Sequence, residues 1–163
     1  MSVHEHILIV TLNTVRARDL CAWLRAENYV VTCASSFDAA RICLQMRPVI
    51  VITDLKLGAY NGLHLAVRAK GMQIPVLVLG APDAFFEREA TQLGTTYLAF
   101  EEMTREGIVS FVANQIQRQT QNPPDPWVEK SSFASVREHS ERSSTAHAPV
   151  VNFPQRARRL RLN

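Results

Sequence analysis

The chain has 163 residues, enough for one domain with a substantial core. Its apolar fraction of 47% and charged fraction of 20% are typical of a globular protein, and no apolar run approaches the ~20 residues that cross a bilayer. The first ten residues lack the basic start of a signal peptide, so we expect a cytoplasmic protein.

The net charge of +3 is concentrated at the C-terminal end of the chain. Residues 1–120 hold 11 basic and 11 acidic residues, whereas residues 121–163 hold 7 basic and 4 acidic ones. The second segment is rich in proline and serine, and such a composition cannot bury enough apolar surface to offset the entropy of ordering. We therefore predict a folded domain over 1–120 and a mostly disordered tail with a basic end over 121–163.

Cys21, Cys33 and Cys43 are the three cysteines of the chain. Their odd number, and the absence of a CxxC spacing, argue against a disulfide or a metal site. Each falls on a face that is otherwise apolar. We expect them to be small buried hydrophobic residues in a reducing compartment.

The first part of the folded segment alternates between two periodicities. Ile7–Val10 is a continuous apolar run that predicts a strand. Thr14–Ala26 has apolar residues at helical spacing, with Asn13 or Thr14 available as the N-cap. Tyr29–Cys33 predicts a second strand.

The alternation continues through the second part of the folded segment. Ser36 is placed to cap a second helix, whose apolar stripe is expected to comprise Ala39, Ile42, Cys43 and Met46. Val49–Thr53 is a β-branched run without alternation, which is typical of a parallel strand covered on both faces. The later elements are predicted as a helix at Leu63–Lys70, a strand at Ile74–Leu79, a helix from Pro82 and Asp83 to Gly94, a strand at Tyr97–Phe100, and a last helix capped by Thr104 and carrying Ile108, Phe111, Val112 and Ile116.

Five alternations of strand and helix predict an α/β domain with a doubly wound parallel sheet and helices on both faces. In this architecture ligands and chemistry gather at the carboxyl ends of the strands. The residues predicted at that edge are Thr11–Asn13, Asp54–Leu57, Gly80–Ala81 and Phe100–Glu101.

Over residues 6–118 the sequence resembles the receiver domain of two-component response regulators, the CheY-like superfamily. The run HILIV resembles the opening strand, and DLKLGAYNG, from Asp54 to Gly62, is similar to the family's D-x-x-[ML]-[PG]-x-x-x-G segment. IPVLVLGA and TTYLAF resemble its fourth and fifth strands. The resemblance implies a flavodoxin-like five-stranded sheet of order 2-1-3-4-5, with Asp54 as the candidate phosphoacceptor.

The remaining positions of the family's site depart from its pattern. In the family, two acidic residues after the first strand help to hold Mg²⁺, a hydroxyl follows the fourth strand and a lysine follows the fifth. Here Thr11 and Leu12 take the acidic-pair positions, Gly80 the hydroxyl position and Phe100 the lysine position. Tyr97 lies where the family often carries its switch aromatic. The sequence therefore resembles a degenerate, or pseudo-receiver, type.

These departures bear directly on phosphoryl transfer at Asp54. Mg²⁺ is held by carboxylates and phosphate oxygens, so a single aspartate is a poor site. Losing the cation and the lysine removes stabilisation of the transferring phosphoryl group. We therefore expect no cofactor and weak or absent phosphorylation. Asn13 and Asp83 are weak candidates for extra oxygen ligands, and Asn13 is better suited to capping a helix.

Some of these residues also have purely structural interpretations. Asp54 can cap a turn, and Tyr97 can be a core or rim aromatic. Gly58 and Gly62 are expected to be turn glycines in either case. The five histidines are scattered without ligand spacing, so no metal site is predicted.

Three functions follow as hypotheses. The leading one is a signalling module that binds a protein partner, either a histidine kinase or another signalling protein. Its candidate binding surface is Tyr97–Ile116, and homodimerisation is left open. The second is a phosphorelay regulator phosphorylated on Asp54. The third is binding of nucleic acid or an acidic partner by the basic stretch RARRLRL near the C-terminus. The sequence contains no glycine-rich phosphate loop and no GxSxG motif, so we expect no enzymatic activity.

Overall fold

The computed structural model of the chain describes residues 5–121. Its helices are α1 (Thr14–Ala26), α2 (Phe37–Cys43), α3 (Gly62–Gly71), α4 (Ala84–Gln92) and α5 (Arg105–Gln121). Its strands are β1 (His6–Val10), β2 (Val30–Ala34), β3 (Ile50–Asp54), β4 (Lys56–Leu57), β5 (Tyr60–Asn61), β6 (Val76–Gly80) and β7 (Thr96–Ala99). Short 3₁₀ turns cover Leu44–Met46 and Phe100–Glu102.

Five parallel strands form the central sheet, in the order β2-β1-β3-β6-β7. The two-residue strands β4 and β5 pair antiparallel in a small ribbon after β3. Without that ribbon the order is the predicted 2-1-3-4-5, and the predicted fold class is confirmed. The register pairs Val10 with Thr53 and Asp54 with Leu79, so β1, β3 and β6 end at the same edge.

The core is divided by the sheet into two apolar clusters. Leu8 and Val10 of β1 pack in one cluster with residues of α2, α3 and α4, whereas Ile7 and Ile9 pack in the other with α1 and α5. Successive side chains of a strand point to opposite faces, so a strand covered on both faces needs an unbroken apolar run. This explains the lack of alternation in the strand sequences.

Side-chain caps fix where the helices begin. Asn13, rather than Thr14, caps α1 and accepts a hydrogen bond from the backbone N–H of Arg16 at 2.9 Å. Ser36 and Thr104 cap α2 and α5 as predicted. Because such a side chain satisfies an N–H that the helix itself leaves unpaired, it stabilises the first turn.

Half of the apolar stripe predicted for α2 is confirmed, since Ala39 and Cys43 are partly buried against the core, and the other half is wrong. The helix buries Phe37 and Ala40, whereas Ile42 and Met46 are 70% and 63% exposed. The reason is the aromatic side chain of Phe37, which packs into the core and stacks on Tyr60 with ring centroids 4.6 Å apart. Burying this larger side chain rotates the helix and turns Ile42 and Met46 outward.

The prediction of three buried cysteines is also partly wrong. Cys21 is buried and Cys43 is partly buried, but Cys33 is exposed. Cys33 lies on β2, which is an edge strand of the sheet and is covered less completely than the central strands. All three cysteines are free.

Helix α5 reaches Gln121 and so includes the first residue of the segment predicted as tail. The rest of that tail, with its basic end, lies outside the described residues, and the domain boundary stays a prediction. Across residues 5–121, no helix has the length and apolar character that a membrane span requires.

Candidate functional site

The predicted site residues come together in a cleft at the carboxyl edge of the sheet, which we call the Asp54 cleft. It has a volume of about 490 Å³. Its lining residues follow β1, β3, β6 and β7 or lie on α1 and α4: Leu12, Asn13, Arg16, Asp54, Leu55, Lys56, Gly80, Ala81, Asp83, Phe86 and Phe100. Apolar and polar side chains line it in equal number, and Asp54 is the buried charged residue among them.

Asp54 ends β3, and its side chain is only 7% exposed. The hydroxyl of Thr11 donates a hydrogen bond to Asp54 Oδ2 at 2.5 Å, and Arg16 Nη1 donates to the same oxygen at 2.7 Å. The other oxygen, Oδ1, is buried and has no hydrogen-bond partner among residues 5–121. A buried acceptor without a partner costs about 1–3 kcal/mol. The carboxylate is therefore paired on one oxygen and unsatisfied on the other.

The guanidinium of Arg16 provides the positive charge of this site. Arg16 lies in the first turn of α1, and its side chain is 16% exposed. Its guanidinium carbon lies 3.8 Å from the ring centroid of Phe100, within cation–π distance. Phe100 takes the position where the resemblance implies a lysine. The chain thus supplies a cation from α1, supported by an aromatic ring at the strand end.

The pKa of Asp54 reflects two opposing influences. Burial raises the pKa of this carboxyl group because desolvation disfavours the charged form. The hydrogen bond from Thr11 and the charge of Arg16 lower it. Desolvation is the larger influence, so the pKa lies above its ordinary value of 3.8.

Tyr97 and Gly80 fit together next to the cleft. The hydroxyl of Tyr97 donates a hydrogen bond to the carbonyl of Ala81 at 2.6 Å. A Cβ atom added to Gly80 would collide with that hydroxyl. Tyr97 therefore occupies the space that a side chain at position 80 would need, and its present position requires glycine there.

The two glycines after Asp54 have different roles. Gly58 has a φ of +65°, the left-handed conformation expected of a turn glycine. Gly62 is not a turn glycine: it begins α3, and an added Cβ would collide with the backbone carbonyl of Asp54. The glycine in this position thus allows α3 to pack directly against the end of β3.

Three other candidate residues have different surroundings. Leu12 is half exposed at the rim of the cleft. Asn13 and Asp83, the weak candidates for oxygen ligands, use their side-chain oxygens to cap α1 and α4. Over residues 5–121, no group of three or more His, Cys, Asp or Glu side chains converges on one point.

Sequence reasoning missed Arg16, although the sequence carries a signal for it. The first turn of α1 contains Arg16 and no acidic residue. A cation is unfavourable at a helix N-terminus, where the helix dipole is positive. Such a placement suggests a nearby anion, and Asp54 at the same edge of the predicted sheet was the candidate.

Comparisons with known proteins identify the fold. No protein-family model and no curated protein matches the sequence. Among solved structures, the chain is similar to a response regulator receiver domain protein from Clostridium thermocellum, at 20% identity and a TM-score of 0.67, with 72% of this chain and 98% of that chain covered. The chemotaxis response regulator CheY4 of Vibrio cholerae matches at 16% identity and a TM-score of 0.62, over 69% of this chain and 99% of that chain.

The chain has the fold of a response-regulator receiver domain. A structure assigned to a response regulator of Chloroflexus aurantiacus also matches, at 26% identity and a TM-score of 0.64, over 70% of this chain and 98% of that chain. The receiver-domain fold implied by the sequence resemblance is therefore confirmed. The state of the receiver site is a separate question, because similar folds support different chemistry.

Proposed function

We propose that this protein is a receiver-type signalling module that acts by binding a protein partner, with weak or absent phosphorylation at Asp54 and no enzymatic activity of its own. The observation that carries the proposal is the ion pair between Arg16 and Asp54 at 2.7 Å. Phosphoryl transfer needs a carboxylate oxygen free to attack and cations free to neutralise the transferring group. Here the guanidinium that contacts the carboxylate is already bound to it.

The two carboxylate oxygens are both poorly placed for attack. Oδ2 accepts hydrogen bonds from Thr11 and Arg16, which lower the nucleophilicity of that oxygen. Oδ1 accepts no hydrogen bond from the described part of the chain but is buried from solvent. A phosphoryl group could reach Oδ1 only if the residues that cover it moved.

The residues around Asp54 also do not fit Mg²⁺. This ion prefers six oxygen ligands and keeps one or two carboxylates among them. Thr11 donates its proton to Asp54, and Leu12 has no ligand atom. Arg16 places a positive charge where a divalent cation would be repelled. The proposed function therefore uses no metal cofactor.

We propose Tyr97–Ile116, which includes most of β7 and most of α5, as the partner-binding surface. Tyr97 is held at one end by its hydrogen bond to Ala81. The space that it fills leaves no room for a hydroxyl-bearing side chain at position 80 to couple this surface to a phosphoryl group. The surface would then be presented in one conformation, whatever the phosphodonor concentration.

The alternative, a phosphorelay regulator, is favoured by one observation. Asp54 lines an open cleft, and none of the residues that the structure describes donates a hydrogen bond to its Oδ1. Both functions are tested by ¹H–¹⁵N correlation spectra of the full-length protein before and after addition of acetyl phosphate and Mg²⁺. The proposal predicts unchanged amide signals over Tyr97–Ile116. Shifts in the wild type that are absent from Asp54→Asn would support the phosphorelay function instead.

A further inference from the structure

Three side chains form a continuous series of contacts from the end of β3 to the end of β7. Asp54 Oδ2 accepts a hydrogen bond from Arg16 Nη1 at 2.7 Å. The same guanidinium lies over the Phe100 ring, with its central carbon 3.8 Å from the ring centroid. Because Asp54 ends β3 and Phe100 directly follows β7, one cation joins two strand ends. We call these three side chains the Arg16 bridge.

Phe100 connects the Arg16 bridge to the proposed partner-binding surface. This residue begins the 3₁₀ turn Phe100–Glu102, and the turn leads to Thr104, which caps α5. The ring of Phe100 packs against the apolar cluster that includes Ile108 and Val112 of α5. Since protein interiors are closely packed, a shift of this ring alters the packing of α5, the longest element of that surface.

The charge balance of the Asp54 cleft depends on the ionisation of Asp54. Among residues 5–121, four charged side chains line the cleft: the cations Arg16 and Lys56, and the carboxylates Asp54 and Asp83. Asp54 is buried, whereas Asp83 is exposed at the rim and caps α4. The charged side chains of α3, and Glu101 in the turn after β7, do not line the cleft. Protonation of Asp54 would therefore leave two cations facing one exposed carboxylate.

Protonation of Asp54 would also remove the interaction that holds Arg16 in the bridge. Burial raises the pKa of Asp54, so this carboxyl group binds a proton at a higher pH than an ordinary aspartate does. A buried arginine without a counter-ion is unfavourable, because its charge has lost both water and its partner. A cation–π contact is weaker than this penalty. The guanidinium would therefore turn towards water and Asp83, and leave the Phe100 ring.

We propose that Arg16 is a proton-controlled link between Asp54 and the partner-binding surface: ionised Asp54 keeps the guanidinium over Phe100, and protonation of Asp54 releases it. A proton then takes the place of the phosphoryl group as the input to Tyr97–Ile116. This inference rests on the proposed function, which provides that surface. Its test contains neither a phosphodonor nor a partner, so a failure here would leave the phosphodonor result unaffected.

The test records ¹H–¹⁵N spectra of the full-length protein between pH 4 and pH 8. In the wild type we expect the amide signals of Phe100, Met103 and Ile108 to shift with one midpoint, above 3.8. The side-chain Nε–Hε signal of Arg16 should shift with the same midpoint. Asp54→Asn keeps every other titratable group and should abolish these shifts. Shifts that persist in Asp54→Asn would assign them to another group and overturn the proposal.

Two phenylalanines that pack against the same apolar cluster give matched variants, because only one of them belongs to the Arg16 bridge. Phe100 contacts the guanidinium, whereas the ring of Phe111 on α5 contacts no cation within residues 5–121. Phe100→Leu should keep the titration at the Asp54 amide but remove the shift at Ile108, since leucine fills the space without binding the cation. Phe111→Leu should keep both shifts.

If Phe100→Leu does not give a dispersed spectrum, the wild-type signals decide the question. The midpoints of the Arg16 side chain and of the Phe100 amide must then agree. Different midpoints, the absence of any shift at Ile108 in the wild type, or an undiminished shift at Ile108 in Phe100→Leu would overturn the proposal.

Discussion

Replacing Arg16 by methionine tests the ion pair on which this account rests. Methionine keeps an unbranched side chain over Phe100 but removes the charge. Asp54 is then left buried with the Thr11 hydroxyl as its remaining hydrogen-bond donor. Breaking a buried ion pair by removing one partner costs about 3–5 kcal/mol. Because the Arg16 side chain is 16% exposed, we expect the lower end of this range. Arg16→Met should therefore lower the free energy of unfolding by about 3 kcal/mol at pH 7.

The pH dependence of this loss has a definite sign. Burial already raises the pKa of Asp54, and removing Arg16 raises it further. The folded state then favours the protonated carboxyl group, so stability is lost as the pH rises from 3.8 through the folded-state pKa. The destabilisation caused by Arg16→Met should therefore be smaller at pH 4 than at pH 7.

Urea denaturation of the full-length protein, followed by circular dichroism at both pH values, measures this effect. Arg18→Met is the matched control on the same helix, because Arg18 pairs with Asp19 at the surface and is 74% exposed. An exposed pair of this kind contributes at most about 1 kcal/mol. Equal losses for Arg16→Met and Arg18→Met, or a loss independent of pH, would refute the assignment of Arg16 as the counter-ion of Asp54.

Three further predictions concern the same edge of the sheet. The free energy of unfolding of Asp54→Asn relative to wild type should rise between pH 4 and pH 7. The wild type loses stability over this range because burial raises the pKa of Asp54, and the variant lacks that group. Urea denaturation showing a fall would contradict this. Gly80→Ala should lower the free energy of unfolding by about 1–3 kcal/mol, because its Cβ displaces Tyr97, and an unchanged thermal midpoint would count against the packing described. Tyr97→Phe should lower the free energy of unfolding by about 1 kcal/mol, because it removes the hydrogen bond to Ala81. An unchanged midpoint of thermal unfolding would show that this bond contributes nothing to stability.

Local signals in the sequence were sufficient to predict most of the helices and strands. The bounds predicted for α1, Thr14–Ala26, are those of the structure, since apolar spacing and a capping side chain agree there. The unbroken β-branched run predicted a strand at Val49–Thr53, and each of these bounds differs by one residue from those of β3. The face of α2 could not be predicted in the same way, because the stacking of Phe37 on Tyr60 joins residues far apart in the chain.

The site was predicted in outline but not in its interactions. Asp54, Thr11, Gly80 and Phe100 lie at the predicted edge, because the ends of parallel strands are fixed by topology. Tyr97 can occupy its position only because residue 80 is glycine. To predict this contact one must know the register of β6 and β7, which the sequence does not contain. The sequence therefore shows which residues of the family's site are replaced, whereas the pairing of Arg16 with Asp54 is visible only in the structure.

The central claim is that Asp54 is paired with Arg16 and does not accept a phosphoryl group. Intact-mass spectrometry of the full-length protein, incubated with acetyl phosphate and Mg²⁺, tests this most directly, with Asp54→Asn as the control. The account predicts an unchanged mass for both proteins. An adduct of about 80 Da, the mass of one phosphoryl group, that forms on the wild type and not on Asp54→Asn would contradict it.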